Sequence, residues 1–162
     1  MLSRIARFLR RSLQSHRFVR ARRAPGGEGR WRVEVVPGLT LLARREDFPI
    51  LEEVFHARRY SNGFPFRQAG AVILDIGAHI GAFSAFAARH AGPDSRILAY
   101  EPEPENFALL EENLRASAAG CALARRAALW RDSGEAEFLV NTGNRAGHSL
   151  FAKKVQIESR GA

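Results

Sequence analysis

From Ala71 the chain changes its hydrophobic rhythm. AVIL (71–74) is apolar at four consecutive positions, the pattern of a parallel strand covered on both faces, and it ends at Asp75 in ILDIGAHIG (73–81). AFSAFAARHAG follows and predicts an Ala/Phe helix, with Gly92 at its C′ position and Pro93 beyond. RILAYE predicts a second strand. Residues 102–119 predict a second helix, with Phe107, Leu110 and Leu114 on one face and Gly120 as its stop. Residues 121–129 contain a third strand. Strand, helix, strand, helix, strand is the βαβαβ half of a doubly wound α/β sheet. Right-handed crossovers then give strand order 3-2-1.

Upstream, WRVEVV (31–36) alternates as a half-buried strand does, Pro37-Gly38 is a turn, and residues 39–43 pair back as a hairpin. Residues 48–60 show helical spacing of Ile50, Leu51, Val54 and Phe55, with Asp47 as N-cap and Pro49 in the first turn. SNGFPF (61–66) is a turn-rich connector. Downstream, Asp132-Ser133-Gly134 reads as a turn and EAEFLV (135–140) as an alternating strand. The expected organisation is a tail and linker over 1–30, a hairpin plus helix over 31–66, and a partial cofactor-binding domain over 67–162.

Charge changes this picture at one end only. Residues 1–30 hold nine arginines and one acid, Glu28, so the formal net charge of +8 belongs to this stretch and the remainder balances. Read this way, the basic pI belongs to a tail, and no specific nucleic-acid partner is expected. Leu2, Ile5, Ala6, Leu9 and Leu13 share a helical face opposite Arg4, Arg7 and Arg11. Three readings stay open: an amphipathic helix on an anionic membrane surface or a partner through residues 1–24, an organelle transit peptide, or a poorly ordered tail. Pro25-Gly26-Gly27-Glu28-Gly29 reads as linker. Cys121 is the only cysteine, so a reducing, cytoplasmic setting is expected, with possible contact to the membrane periphery. The five histidines lack metal-ligand spacing, and no metal site is expected.

In a doubly wound sheet, ligands sit beyond the carboxyl ends of the strands, where DIGAHIG falls. Gly77 and Gly81 let the backbone turn sharply and let a ligand approach, and the amides opening the next helix face a polar group. Asp75 either organises the loop or faces an ammonium group. Glu101 ends the second strand beside the same crevice, where a carboxylate accepts from both hydroxyls of a ribose. The pattern D-x-G-x-x-x-G departs from the dinucleotide G-x-G-x-x-G and from the P-loop. A nucleoside cofactor without a phosphate chain remains, and S-adenosylmethionine fits. His79 reads as a rim residue rather than a catalyst.

REDFPILEEVFHARRY, VILDIGAHIGAFSAFAARH, ILAYEPEPENFALLEENL, AALWRDSGEAEFLV and GHSL resemble the FkbM family of S-adenosylmethionine-dependent methyltransferases over about residues 47–150. EPEPENF is the most particular of these stretches. The resemblance implies a Rossmann-like class I methyltransferase fold, incomplete here. It implies that Asp75, Gly77, Ala78 and Gly81 line the methionine end of S-adenosylmethionine, that Glu101 holds its ribose, and that Ala128 flanks its adenine. His79 stands where the family often has Asn. The family is associated with O-methylation of sugars and natural products, so a small-molecule or glycan acceptor is expected. The strand ending in D-x-E-G that family members carry next does not appear. The expectation is therefore the N-terminal part of an enzyme, with its sheet edge open or covered by a partner chain and no general base to name, neither His79 nor His148. The alternative is a non-catalytic remnant or interaction module.

Overall fold

The structure is a computed structural model that describes residues 18–25, 29–57, 60, 67–117 and 119–129. The amphipathic pattern within 1–17, the connector at 61–66, the strand expected at EAEFLV, the GHSL stretch and His148 lie outside the described residues.

The first sheet is antiparallel, in the order β1 (Arg20–Arg23), β2 (Arg30–Val36), β3 (Leu39–Arg44). Its β2–β3 pair is the expected hairpin. Alternation along β2 buries Trp31, Val33 and Val35, and Gly38 reverses the chain at φ 78° while its N–H donates to Glu34 Oε1. β1 corrects the expectation of a tail and linker through residue 30. Arg20–Arg23 add an edge strand to β2, and the Ala24 N–H donates to the Arg30 carbonyl at the end of that antiparallel pair. An edge strand needs only a ladder of backbone bonds and one apolar side, which is why a charge run hid it. The same strand stops any N-terminal helix from running through residues 20–23.

A 3₁₀ turn (Arg45–Asp47) leads into α1 (Phe48–Phe55), which carries Pro49 in its first turn and buries Phe48, Leu51 and Val54. Asp47 occupies the N-cap position, but its carboxylate makes no cap bond. It turns back to accept from the Arg44 N–H at 2.7 Å.

The second sheet is the βαβαβ unit: β4 (Val72–Ile76), α2 (Ala82–His90), β5 (Arg96–Tyr100), α3 (Pro104–Ala116) and β6 (Ala122–Arg125). Its strands are parallel in the order β4-β5-β6, as the crossover rule predicts. Both crossovers step in the same direction, so both helices lie on one face. This corrects the reading of AVIL as covered on both sides. Asp75 is buried toward the helices, whereas Val72, Leu74 and Ile76 are 65%, 53% and 62% exposed. Gly92 also has a different job from the one expected. Ala91 ends α2 in an extended conformation, and Gly92 is not left-handed. A Cβ there would stand 2.5 Å from the Arg67 carbonyl and 2.7 Å from that of Gln68, so only glycine lets this backbone cross.

One core unites the two sheets: Trp31, Val33, Leu41, Phe48 and Leu51 pack in a cluster with Ile80, Phe86, Ile97 and Leu109. α3 is the bridge. Its Leu110 and Leu114 pack with Ala99 of β5. Its Asn113 reaches the first sheet, accepting from the Leu42 N–H at 2.6 Å and donating to the carbonyls of Leu42 at 2.9 Å and Ile80 at 2.8 Å. No helix among the described residues is long and apolar enough to cross a membrane.

Candidate functional site

The turn after β4 is pinned to its neighbour strand. The amides of Gly77 and Ala78 both donate to the Tyr100 carbonyl at 2.9 Å. Those two donors, expected near the ligand, are thus taken by the end of β5. The backbone is left-handed at Gly77, His79 and Gly81, with φ of 77°, 53° and 83°. Among residues with a Cβ, Asn, Asp and His tolerate that region best. This gives a physical reason for His79 where the family often has Asn.

The two glycines differ in purpose. At Gly77 nothing lies within 4 Å of where a Cβ would stand, and the residue is exposed. Gly81 is buried, and its Cβ would meet Leu110 Cδ1 of α3 at 2.7 Å. Gly77 is therefore the opening through which a ligand can approach, while Gly81 lets helix and turn close together. Gly77 thus faces the open side of the turn, and Gly81 and the buried Ala78 lie behind it.

Asp75 is bonded inside the fold. Its carboxylate accepts from Ser84 Oγ at 2.6 Å and from the Ser84 amide, tying β4 to the first turn of α2. Burial pushes its pKa above the usual carboxylate range, the Ser84 bonds oppose that shift, and the charge of Glu101 adds to it. An acid with a raised folded-state pKa binds more protons folded than unfolded, so its contribution to stability is largest below the ordinary value and declines as pH rises through the raised one. Melting temperatures measured from pH 4 upward should show this decline, and Asp75→Asn should flatten it. An unchanged slope in the variant would assign the decline to another group.

Glu101 is 4% exposed. Its Oε2 accepts from the His79 N–H at 2.8 Å. Its Oε1 accepts from the Glu103 N–H at 3.0 Å and lies 3.5 Å from Asn106 Nδ2. The strand-end acid and the glycine turn are thus bonded to each other. An ionised carboxylate has about four acceptor positions, so one or more stay available to hydroxyl donors. The rest of EPEPENF has structural work: Glu103 caps α3 by accepting from the Asn106 N–H at 2.6 Å, and Pro104 opens the helix. Ala128 is exposed beyond the end of β6.

No local pattern predicts the polar junction behind the turn. The buried Arg44 guanidinium donates to both oxygens of Asp47, at 3.0 and 3.1 Å, and to Asn106 Oδ1. Asp47 Oδ1 in turn lies 3.5 Å from His79 Nε2. The His79 ring is thereby turned toward Asp47. The one sequence signal was Arg44 itself, a charge that closes a strand after the apolar Leu41, Leu42 and Ala43.

A family model for the methyltransferase FkbM domain matches residues 75–161, more than half of the chain. The chain belongs to the FkbM methyltransferase family. Methyltransferases of this kind take S-adenosylmethionine as methyl donor. Ribosomal RNA large subunit methyltransferase E of Nitratidesulfovibrio vulgaris (strain DP4) is 31% identical over 80 residues, which are 46% of this chain and 39% of that protein. The chain thus spans about two fifths of the length of that curated relative. Among solved structures, precorrin-6y C5,15-methyltransferase from Geobacter metallireducens GS-15 is 30% identical, covering 37% of this chain and 31% of its own, with a TM-score of 0.35. Fibrillarin from Aeropyrum pernix, in complex with natively bound S-adenosyl-L-methionine, is 18% identical, covering 70% and 58%, with a TM-score of 0.37. The FkbM site fits the cofactor on two counts: the open side of Gly77 admits a ligand to the turn, and Glu101 stands beside it with acceptor capacity unused.

Proposed function

We propose that this chain forms the S-adenosylmethionine-binding part of an O-methyltransferase that acts on a hydroxyl of a sugar or natural product. Bound there, the cofactor would supply an electrophilic methyl group. The residues do the holding. Gly77 admits the methionine end, Glu101 accepts from the ribose hydroxyls, and Ala128 flanks the adenine. Asp75, Ala78 and Gly81 keep the turn in shape. Fixing the donor in one place lets positioning supply much of the rate. The observation that carries the proposal is the bond between Glu101 and the His79 amide, which sets an acid beside the one open glycine of the turn. A second acceptor class, RNA, is favoured by the ribosomal RNA methyltransferase relative.

Isothermal titration of the folded chain with S-adenosylhomocysteine tests the cofactor site. Saturable binding that disappears in Glu101→Ala and in Gly77→Val is expected. A cooperatively folded chain that takes up no ligand would instead support the remnant or interaction-module reading.

A further inference from the structure

Alternation along β1 and β2 sends Arg20, Arg22, Arg30 and Arg32 to the outward face of the first sheet, away from the buried Trp31, Val33 and Val35. All four are exposed, and Arg22 stands directly opposite Arg32 across the ladder. Opposed side chains on a sheet start about 5 Å apart, and like charges placed so weaken the pairing. Relief is not supplied locally. Glu34, opposite Arg20, gives its carboxylate to the Gly38 amide. Among the described residues, no acid lies within ion-pair reach of any of the four; Glu46, Asp47 and Glu105 face Arg44 instead, and Asp47 also faces His79. The charge formerly assigned to a tail is therefore set, in part, on a rigid surface.

We infer that this face binds the phosphate backbone of a nucleic acid without reading its bases. Guanidinium groups donate two parallel bonds to a phosphate, and a row of closely spaced cations is complementary to a polymer that carries a charge at every residue. By register Glu34, Thr40, Leu42 and Arg44 share this side of the sheet; Leu42 and Arg44 are buried, so among the described residues its exposed part holds no apolar side chain, and the exposed Val19 falls on the opposite face by alternation. Attachment to a lipid surface draws on apolar burial as well as charge, so the face suits a membrane poorly. It also carries no exposed aromatic ring, which removes the stacking platform that grips single-stranded bases. A duplex backbone is what remains. Arg30 pairs with Arg44, whose partner Asp47 contacts the glycine turn, so the face runs up to the junction behind the cofactor crevice. This inference does not depend on which acceptor is methylated.

Fluorescence anisotropy of the full chain with a short, mixed-sequence, labelled RNA duplex tests it across about 50–200 mM salt. The double variant Arg22→Gln, Arg32→Gln should bind at least tenfold more weakly at the low end, and its logarithmic salt slope should fall by about two. Its melting temperature should be unchanged or higher, because the opposed pair is gone, and its titration with S-adenosylhomocysteine should match that of the parent. Equal affinity and slope in parent and variant would overturn the inference. So would loss of binding to phosphatidylserine vesicles, rather than to the duplex, in the variant.

Discussion

Asp47→Ala is expected to lower the unfolding free energy by about 3–5 kcal/mol, the range for removing one partner of a buried ion pair. The Asp47 side chain is almost wholly enclosed and holds Arg44 through both oxygens and through the backbone amide. Without it, a guanidinium stays in the interior with Asn106 as its remaining close partner. Glu46 at 3.8 Å and Glu105 at 4.0 Å are both well exposed and reach it only at the edge of ion-pair range. Asp47→Asn should lose less, since the amide oxygen still accepts from Arg44. Urea midpoints at constant m-value measure both. A loss below about 1 kcal/mol for the alanine variant would mean that Arg44 escapes to solvent, leaving only the small cost of an exposed pair. Because Asp47 also faces His79, the alanine variant should loosen the glycine turn and weaken S-adenosylhomocysteine binding along with the fold.

Asn113→Ala should cost a comparable amount for a different reason. Asn113 is fully buried, and its one amide group satisfies three backbone groups on two separate segments. Alanine would leave the N–H and carbonyl of Leu42 and the carbonyl of Ile80 without this partner. An unsatisfied buried polar group costs about 1–3 kcal/mol, and a total of about 3–5 kcal/mol marks the severe end of single substitutions. Asn113→Asp separates hydrogen bonding from volume. At neutral pH it sets a carboxylate against two carbonyl oxygens and should be at least as harmful as alanine. As pH falls, the protonated acid can donate to one of them, and part of the loss should return. Thermal melts at two pH values decide this; an aspartate variant as stable as the parent at neutral pH would sink the assignment of the Nδ2 bonds.

Much of the fold could be read from short-range patterns. The β4–α2–β5–α3–β6 order follows from runs and periods that lie within a dozen residues, and the β2–β3 hairpin from WRVEVV and Pro37-Gly38. Glu101 beside the glycine turn also followed, because strand order and strand ends are enough to place it. What stayed hidden depends on what stands opposite. Asn113 and Leu42 are 71 residues apart, and Arg44 and Asn106 are 62 apart; no local period encodes either pair. Gly81 and Gly92 each looked like turn or cap residues, and only the neighbours, Leu110 and the 67–68 backbone, reveal that they are clearances. Arg20–Arg23 resembled a solvated charge run because an edge strand with one half-buried alanine carries almost no apolar signal. Coverage of β4 was misread because composition does not say on which side a crossover helix lands.

The placement of β4 has a mechanical consequence. Among the described residues it is held by one ladder, to β5, with the Gly77 and Ala78 amides on Tyr100 as its last fastening. A molecule seated on Gly77 and Glu101 would touch the ends of both strands at once and act as a staple across that ladder. Ligand occupancy and the opening rate of β4 would then be two readings of one equilibrium. Amide hydrogens along Val72–Ile76 should exchange more slowly as ligand concentration climbs past its dissociation constant.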